Sequence, residues 1–264
     1  MRGETDINVW RALLAPLNYL DLIVNDAERP ALAAAVRDLV GGAAARMGWE
    51  ARPGEDELMR QLRGLLWGAM GTLGEDPGAR RNAAEIYARH LKNPSSADRD
   101  LVPPSIGILA YAGDRGRFEE FKQRFKSART PQEEQRYLFS LAGFRDLELL
   151  RETMAMTLNG EVRTQNAPYL MHSLLLNTAC RYEAWDFVKA HWDEMIRKFP
   201  DAALPRMCEA VVALGDRDKE VHEFFQAHRV RLGGKIIDQH LERLRVAVAF
   251  RARERASITA ALRG

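Results

Sequence analysis

RTQNAPYLMHSLLLNTACRYEAWDFVKAHWDEMIRKFP, residues 163–200, is the stretch that decides the fold. It reads as two helices joined by a tight turn. On the second, Trp185, Val188, Trp192, Met195 and Phe199 recur three or four residues apart, a spacing that gathers them on one helical face. Such a face is too apolar to stay in water, so it must pack on neighbouring helices.

Working outward, nearly every segment has the same character. Ile7 to Val24 carries Trp10, Leu13, Leu14, Leu17, Leu20 and Ile23 at helical spacing. Pro30 and Pro77 stand where first-turn prolines belong, opening helices towards Trp49 and Leu91. Gly54 to Leu73 places Leu58, Leu62, Leu65 and Leu66 on one side. Pro103-Pro104 starts a short helix to Tyr111, and Phe118, Phe121 and Phe125 stripe the next. Thr130-Pro131-Gln132-Glu133 is an N-cap followed by proline and an acid, and leads a helix to Leu141. Asp146 to Leu158, Ala202 to Leu214, Lys219 to Val230 and Lys235 towards Leu262 complete the series. No run of period-two alternation is bounded by turn signals, so no strand is expected. Helix pairs begin roughly every 30 to 40 residues, the spacing of helical-repeat arrays. The expected fold is therefore all-α: an irregular α-solenoid of antiparallel helix pairs, a HEAT/armadillo-like superhelix, forming one domain over residues 1–264.

Composition excludes several functions. The chain has 264 residues, 46% hydrophobic and 29% charged, with 39 basic and 37 acidic groups well mixed. That is a globular composition. No long basic run supports nucleic-acid binding, and no apolar run is long enough for a bilayer. The start, MRGETDINVW, lacks the order of a signal peptide, so a cytoplasmic location is expected. Cys180 and Cys208 read as buried thiols.

Motifs place this helical series in a known setting. Ala184-Trp185-Asp186-Phe187 with Trp192 resembles the AWxFx…W pattern in the C-terminal helical domain of the gluzincin zinc aminopeptidases. These are the aminopeptidase N, puromycin-sensitive and endoplasmic-reticulum aminopeptidase family. Arg163-Thr164-Gln165-Asn166 is similar to that domain's R-x-Q-D/E. Met47-Gly48-Trp49-Glu50 is similar to its LGW-x element, Leu62-Arg63 to the LR that follows, and Glu220 to Phe225 to its E-V-K-x-F-F. Asn166 departs from the usual acid, and His222 stands where lysine is common. The family's first helices have no counterpart before Ile7, which suggests a piece of a larger enzyme.

The resemblance implies a lid that closes over a catalytic domain, walls the substrate cavity and contacts peptide. Zinc is then expected in the catalytic domain of the parent, and the partners are that domain and the peptide substrate. Within this chain no catalytic residue is expected. Zinc in such enzymes needs an HExxH helix, which sets two imidazoles on one face. His90, His172, His191, His222, His228 and His240 include no pair at that spacing. His222 and His228 are separated by about 600° of helical turn, so both read as solvated. Gly68-Ala69-Met70 echoes the family's GAMEN motif only in its first letters and sits in an amphipathic helix. Asp56, Glu57, Glu133 and Glu134 read as first-turn acids. Arg163, Gln165 and Asn166 are the candidate substrate contacts, because an arginine fork at a helix start suits a peptide carboxylate. Trp185, Trp192, Phe224 and Phe225 read as core, and the arginines from Arg243 to Arg255, interleaved with Glu242 and Glu254, as a solvated helix surface. The alternative is a stand-alone helical-repeat scaffold that binds a protein or peptide partner without catalysis. On the fragment reading, Trp10, Leu13 and Leu17 would be exposed apolar surface.

Overall fold

The computed structural model describes residues 3–52, 54–96, 98–228 and 233–263. All regular structure among them is helical, with no strand. Contacts divide the chain into two compact units: Met1–Arg117 with Thr259–Gly264, and Phe118–Ile258.

The first unit holds α1 (Ile7–Ile23), α2 (Arg29–Met47), α3 (Glu57–Gly71), α4 (Pro77–Lys92) and α5 (Val102–Tyr111), and runs on to Arg117. Asp6, Asp56 and Asp76 start three of these helices by accepting the amides of Asn8, Met59 and Ala79, which satisfies donors that the helix ladder cannot. Close packing of α3 on α5 depends on glycine. A Cβ at Gly64 would lie 2.7 Å from the carbonyl oxygen of Asp100, and one at Gly71 2.6 Å from Ile108. Trp10 is fully buried, its indole donating to the carbonyl of Glu4 at 3.2 Å. The expectation that it forms exposed apolar surface fails, because the chain before α1 folds back to meet the ring. Leu13 and Leu17 are half-buried. Leu58, expected on the apolar side of α3, is 59% exposed, since it sits in the first turn, ahead of the residues that face α5.

The second unit holds α6 (Arg115–Lys126), α7 (Pro131–Leu141), α8 (Leu147–Met156), α9 (Ala167–Leu176), α10 (Arg181–Ala190), α11 (Trp192–Lys198), α12 (Leu204–Cys208), α13 (Asp218–Ala227) and most of α14 (Gly234–Arg263). Thr130 accepts the Glu133 amide at 3.2 Å while Glu133 reaches back to the Arg129 amide at 3.0 Å, a reciprocal cap displaced by one residue from the usual box.

The deciding stretch gives three helices rather than two. The turn between α9 and α10 is held by Asn177, whose amide nitrogen donates to the carbonyls of Ala142 and Phe144, both at 2.8 Å. The extra break falls at His191, where both the amide and the ring Nδ1 lie on the Phe187 carbonyl. The same ring contact, His222 on the Asp218 carbonyl, leaves α13 continuous, so the ring marks the break without accounting for it. The apolar face survives the break: Trp185, Val188, Trp192, Met195 and Phe199 are all at most 4% exposed. The expected helix from Ala202 to Leu214 likewise divides, into α12 and a 3₁₀ turn at Glu209–Ala213, and a second 3₁₀ turn follows at Gly215–Arg217. The expected helix from Lys219 ends at Ala227, and Arg229 and Val230 lie outside the described residues.

Candidate functional site

Arg163 lies in the turn before α9, its guanidinium 3.0 Å from the Glu134 carboxylate. Its side chain is 64% exposed and that of Glu134 17%. Glu134 is thus an ion partner as well as a first-turn acid. Gln165 is exposed and Asn166 is buried. Asn166 is the residue preceding the helix, and its carbonyl accepts the amides of Tyr169 and Leu170. The amides of Asn166 and Ala167 both turn back onto the Arg163 carbonyl, at 2.8 and 3.1 Å, and Pro168 has no N–H. The helix start therefore offers no unused amide from Asn166 to Tyr169. An anion at this place would be held by the Arg163 guanidinium, with Gln165 the exposed amide side chain beside it.

The motif residues elsewhere build two knots, one in each unit. In the first, Arg63 is fully buried. One of its terminal nitrogens sits 2.6 Å from both carboxylate oxygens of Glu55, and its Nε reaches the Met47 carbonyl at 3.4 Å. One turn further along α3, Trp67 donates to the Gly48 carbonyl at 2.8 Å and stacks on Trp49 with centroids 4.0 Å apart. Gly48 adopts a φ of 67°, a conformation glycine takes without strain. Burial alone would raise the Glu55 carboxyl. The hydrogen bonds from Arg63 and the Arg52 amide, with the charges of both arginines, bring it below its usual range.

In the second knot, Phe224 and Phe225 on α13 meet Trp185 and Trp192, with centroids 5.1 to 5.9 Å apart. Edge-to-face rings at these distances bind beyond their buried area. The Trp185 indole donates to Glu220 at 3.0 Å, and Lys189 contacts the same carboxylate. Lys189 also meets Asp186 at 2.9 Å, and Asp186 takes Arg217 at 2.7 Å. Trp185, Trp192 and Phe225 are core, as expected, whereas Phe224 is only half-buried.

The C-terminal arginines are less uniformly solvated than expected. Arg245 and Arg253 pair along α14 with Glu242 and Glu254, but Arg251 reaches Asp216 at 2.6 Å and Arg243 reaches Glu209 at 3.3 Å. A cleft of about 460 Å³ lies between α1, α3 and α5, with Gly68 and Ala69 on its wall. Only the run of glycines at 64, 68 and 71 hints at it in the sequence.

Several histidine rings rest on backbone carbonyls. Nδ1 of His172, His191, His222 and His228 each lies within 3.0 Å of a backbone carbonyl, and Nε2 of His240 does the same. His228 stacks on Phe224, and His222 is half-buried rather than fully solvated. Among the described residues no three His, Cys, Asp or Glu side chains converge as metal ligands. No described helix is long and apolar enough to cross a membrane.

Fold and knots together define an all-α chain in which the motif residues hold helix to helix. Residues 1–246 match the ERAP1-like C-terminal domain, and the chain belongs to that family. Its relatives are aminopeptidases. Aminopeptidase M1-B of Oryza sativa subsp. japonica is 26% identical over 269 residues, covering 94% of this chain and 30% of the relative. Aminopeptidase M1 of Arabidopsis thaliana is 26% identical over 262 residues, covering 93% and 29%. Aminopeptidase 2 of Candida albicans is 24% identical over 234 residues, covering 84% and 25%. The chain thus spans at most about 30% of the length of these relatives.

Proposed function

We propose that residues 1–264 serve as one non-catalytic C-terminal domain of a cytoplasmic zinc-dependent aminopeptidase, closing over the catalytic domain and walling the cavity that holds the peptide. The observation that carries this reading is the family match over residues 1–246 beside relatives that are more than three times as long. Zinc belongs to the catalytic domain of the parent, and no step is assigned to the metal through residues of this chain. Its own contribution is positional. Arg163, with the exposed Gln165 beside it and the buried Asn166 shaping the turn behind them, meets the peptide away from the cut bond. The exposure of its guanidinium supports this role. A carboxylate held there is shared with Glu134, so the contact steers the peptide more than it anchors it. Holding the far end of a substrate raises the share of encounters in which the N-terminal residue is correctly placed.

The test is to isolate the native polypeptide with antibodies against this chain and assay it. A chelator-sensitive aminopeptidase on a polypeptide much longer than this chain supports the reading. A polypeptide of this length without that activity overturns it. Within the parent, Arg163→Ala is expected to lower kcat/KM for peptides several-fold while leaving a short amide dye unchanged. Equal losses on both substrates refute the contact.

A further inference from the structure

The division of α12 into a 3₁₀ turn takes the Glu209 amide away from the Pro205 carbonyl. In a continuous α-helix the Glu209 amide would bond the Pro205 carbonyl. Here it bonds Arg206 and Met207 instead. Nε2 of His240, from α14, lies 3.0 Å from the Pro205 carbonyl, and Nδ1 of His172, from α9, lies 2.9 Å from the Arg206 carbonyl. The sequence gives no warning of this, because both imidazoles come from other helices.

The contact fixes the state of His240. A carbonyl only accepts, so Nε2 must carry the proton, and Nδ1 of a neutral ring then carries the lone pair. That Nδ1 is buried with no hydrogen-bond partner among the described residues, and the whole residue is only 6% exposed. The ring belongs to a stripe with Ile237 and Leu244, both buried. Gly233 begins the same stripe, with a φ of 84°. A Cβ there would lie 2.4 Å from the Pro205 ring. Pro205 is thus clasped by Gly233 and His240 from the front of α14.

We propose that His240 is an acid-released latch: its neutral imidazole seats the front of α14 on α12, and a proton gained at Nδ1 unseats that segment. A buried charged N–H in this place has no acceptor among the described residues, which is costly. The charged groups around it are Glu209 in the 3₁₀ turn, Arg206 on α12 and Arg243 on α14, with His172 sharing the Arg206 carbonyl. Burial holds the imidazole below its ordinary value. Glu209 and the Pro205 contact oppose that, and Arg243 and Arg206 add to it. The sign follows from linkage. The released ring binds the proton more readily, so the latch is whole above the ordinary imidazole value of 6.5 and weakens as pH falls below it.

Hydrogen exchange on the whole chain tests the latch. Protection over residues 235–245, corrected for the intrinsic pH dependence of exchange, is expected to fall by up to about tenfold per pH unit between about pH 6.5 and pH 5. His240→Gln keeps a neutral donor to Pro205 and is expected to flatten that profile. Should this variant fold poorly, nitrogen NMR of the wild-type ring decides alone. The Nε2–H form and a titration that coincides with the loss of protection are expected. Flat protection in the wild type, an equal fall in His240→Gln, or a ring that titrates without loss of protection overturns the proposal.

Discussion

Removing Glu55 is expected to be among the most damaging single changes in the first unit. The Arg63 side chain has no exposed surface and that of Glu55 only 9%. Truncating the acid leaves a guanidinium buried, with its charge uncompensated and three nitrogens facing only the weak Met47 contact. Breaking a buried pair in this way costs about 3–5 kcal/mol. With an m-value of about 2 kcal/mol per molar urea, a loss of about 4 kcal/mol moves the unfolding midpoint by about 2 M. Urea titrations of Glu55→Ala followed by far-ultraviolet circular dichroism measure this. The control is the double replacement Glu55→Leu with Arg63→Met, which removes both charges and fills the space. It is expected to recover more than half of the loss, because the penalty comes from the orphaned charge. A shift below about 0.5 M for Glu55→Ala, or a double variant less stable than Glu55→Ala, would refute the argument. The same pair predicts acid sensitivity. The folded carboxyl lies below its ordinary value of 4.5, so its stabilisation is present above that pH and is lost as pH falls through the lowered value.

In the second unit, Trp185→Ala removes a ring that touches both Phe224 and Phe225 and leaves Glu220 without its indole donor; a loss of about 3–5 kcal/mol in chemical denaturation is expected. Gly71→Ala forces a methyl group into Ile108, 2.6 Å away, and should cost about 1–3 kcal/mol, whereas Gly107→Ala, with open space around it, should be neutral or slightly stabilising by the same measurement. Burial pushes the thiols of Cys180 and Cys208 up to about 12; a thiol-specific dye at mildly alkaline pH is expected to label neither in the native chain and both in guanidinium. Rapid labelling of either under native conditions would contradict the packing around it.

Helix starts were legible because their cause is local. Thr130 and Asp146 cap with their own side chains the amides two or three residues ahead, whereas Asp56, expected as a first-turn acid of a helix from Gly54, is itself the cap of α3; spacing alone put Trp185, Val188 and Trp192 on one buried face. Helix ends and breaks were less legible. The break at His191 has no signal in the spacing, and at the break after Cys208 imidazoles from other helices rest on the carbonyls of Pro205 and Arg206. The candidate contact shows the same division. Arg163 and its exposed turn can be read from the chain, but its Glu134 partner is 29 residues away and the closure of the amides after it depends on backbone geometry.

By itself the sequence determined the all-α class, the order of the helices and the family, because periodicity, caps and motif spacing are properties of neighbouring residues. Tertiary structure decided what each motif residue does. Arg63 became a buried ion partner, Trp10 a core residue, and His240 the donor that completes a broken helix. Each of those roles depends on a partner brought from another part of the chain: a carboxylate, a carbonyl or an aromatic edge. Burial then makes the pairing strong when it is complete and costly when it is not.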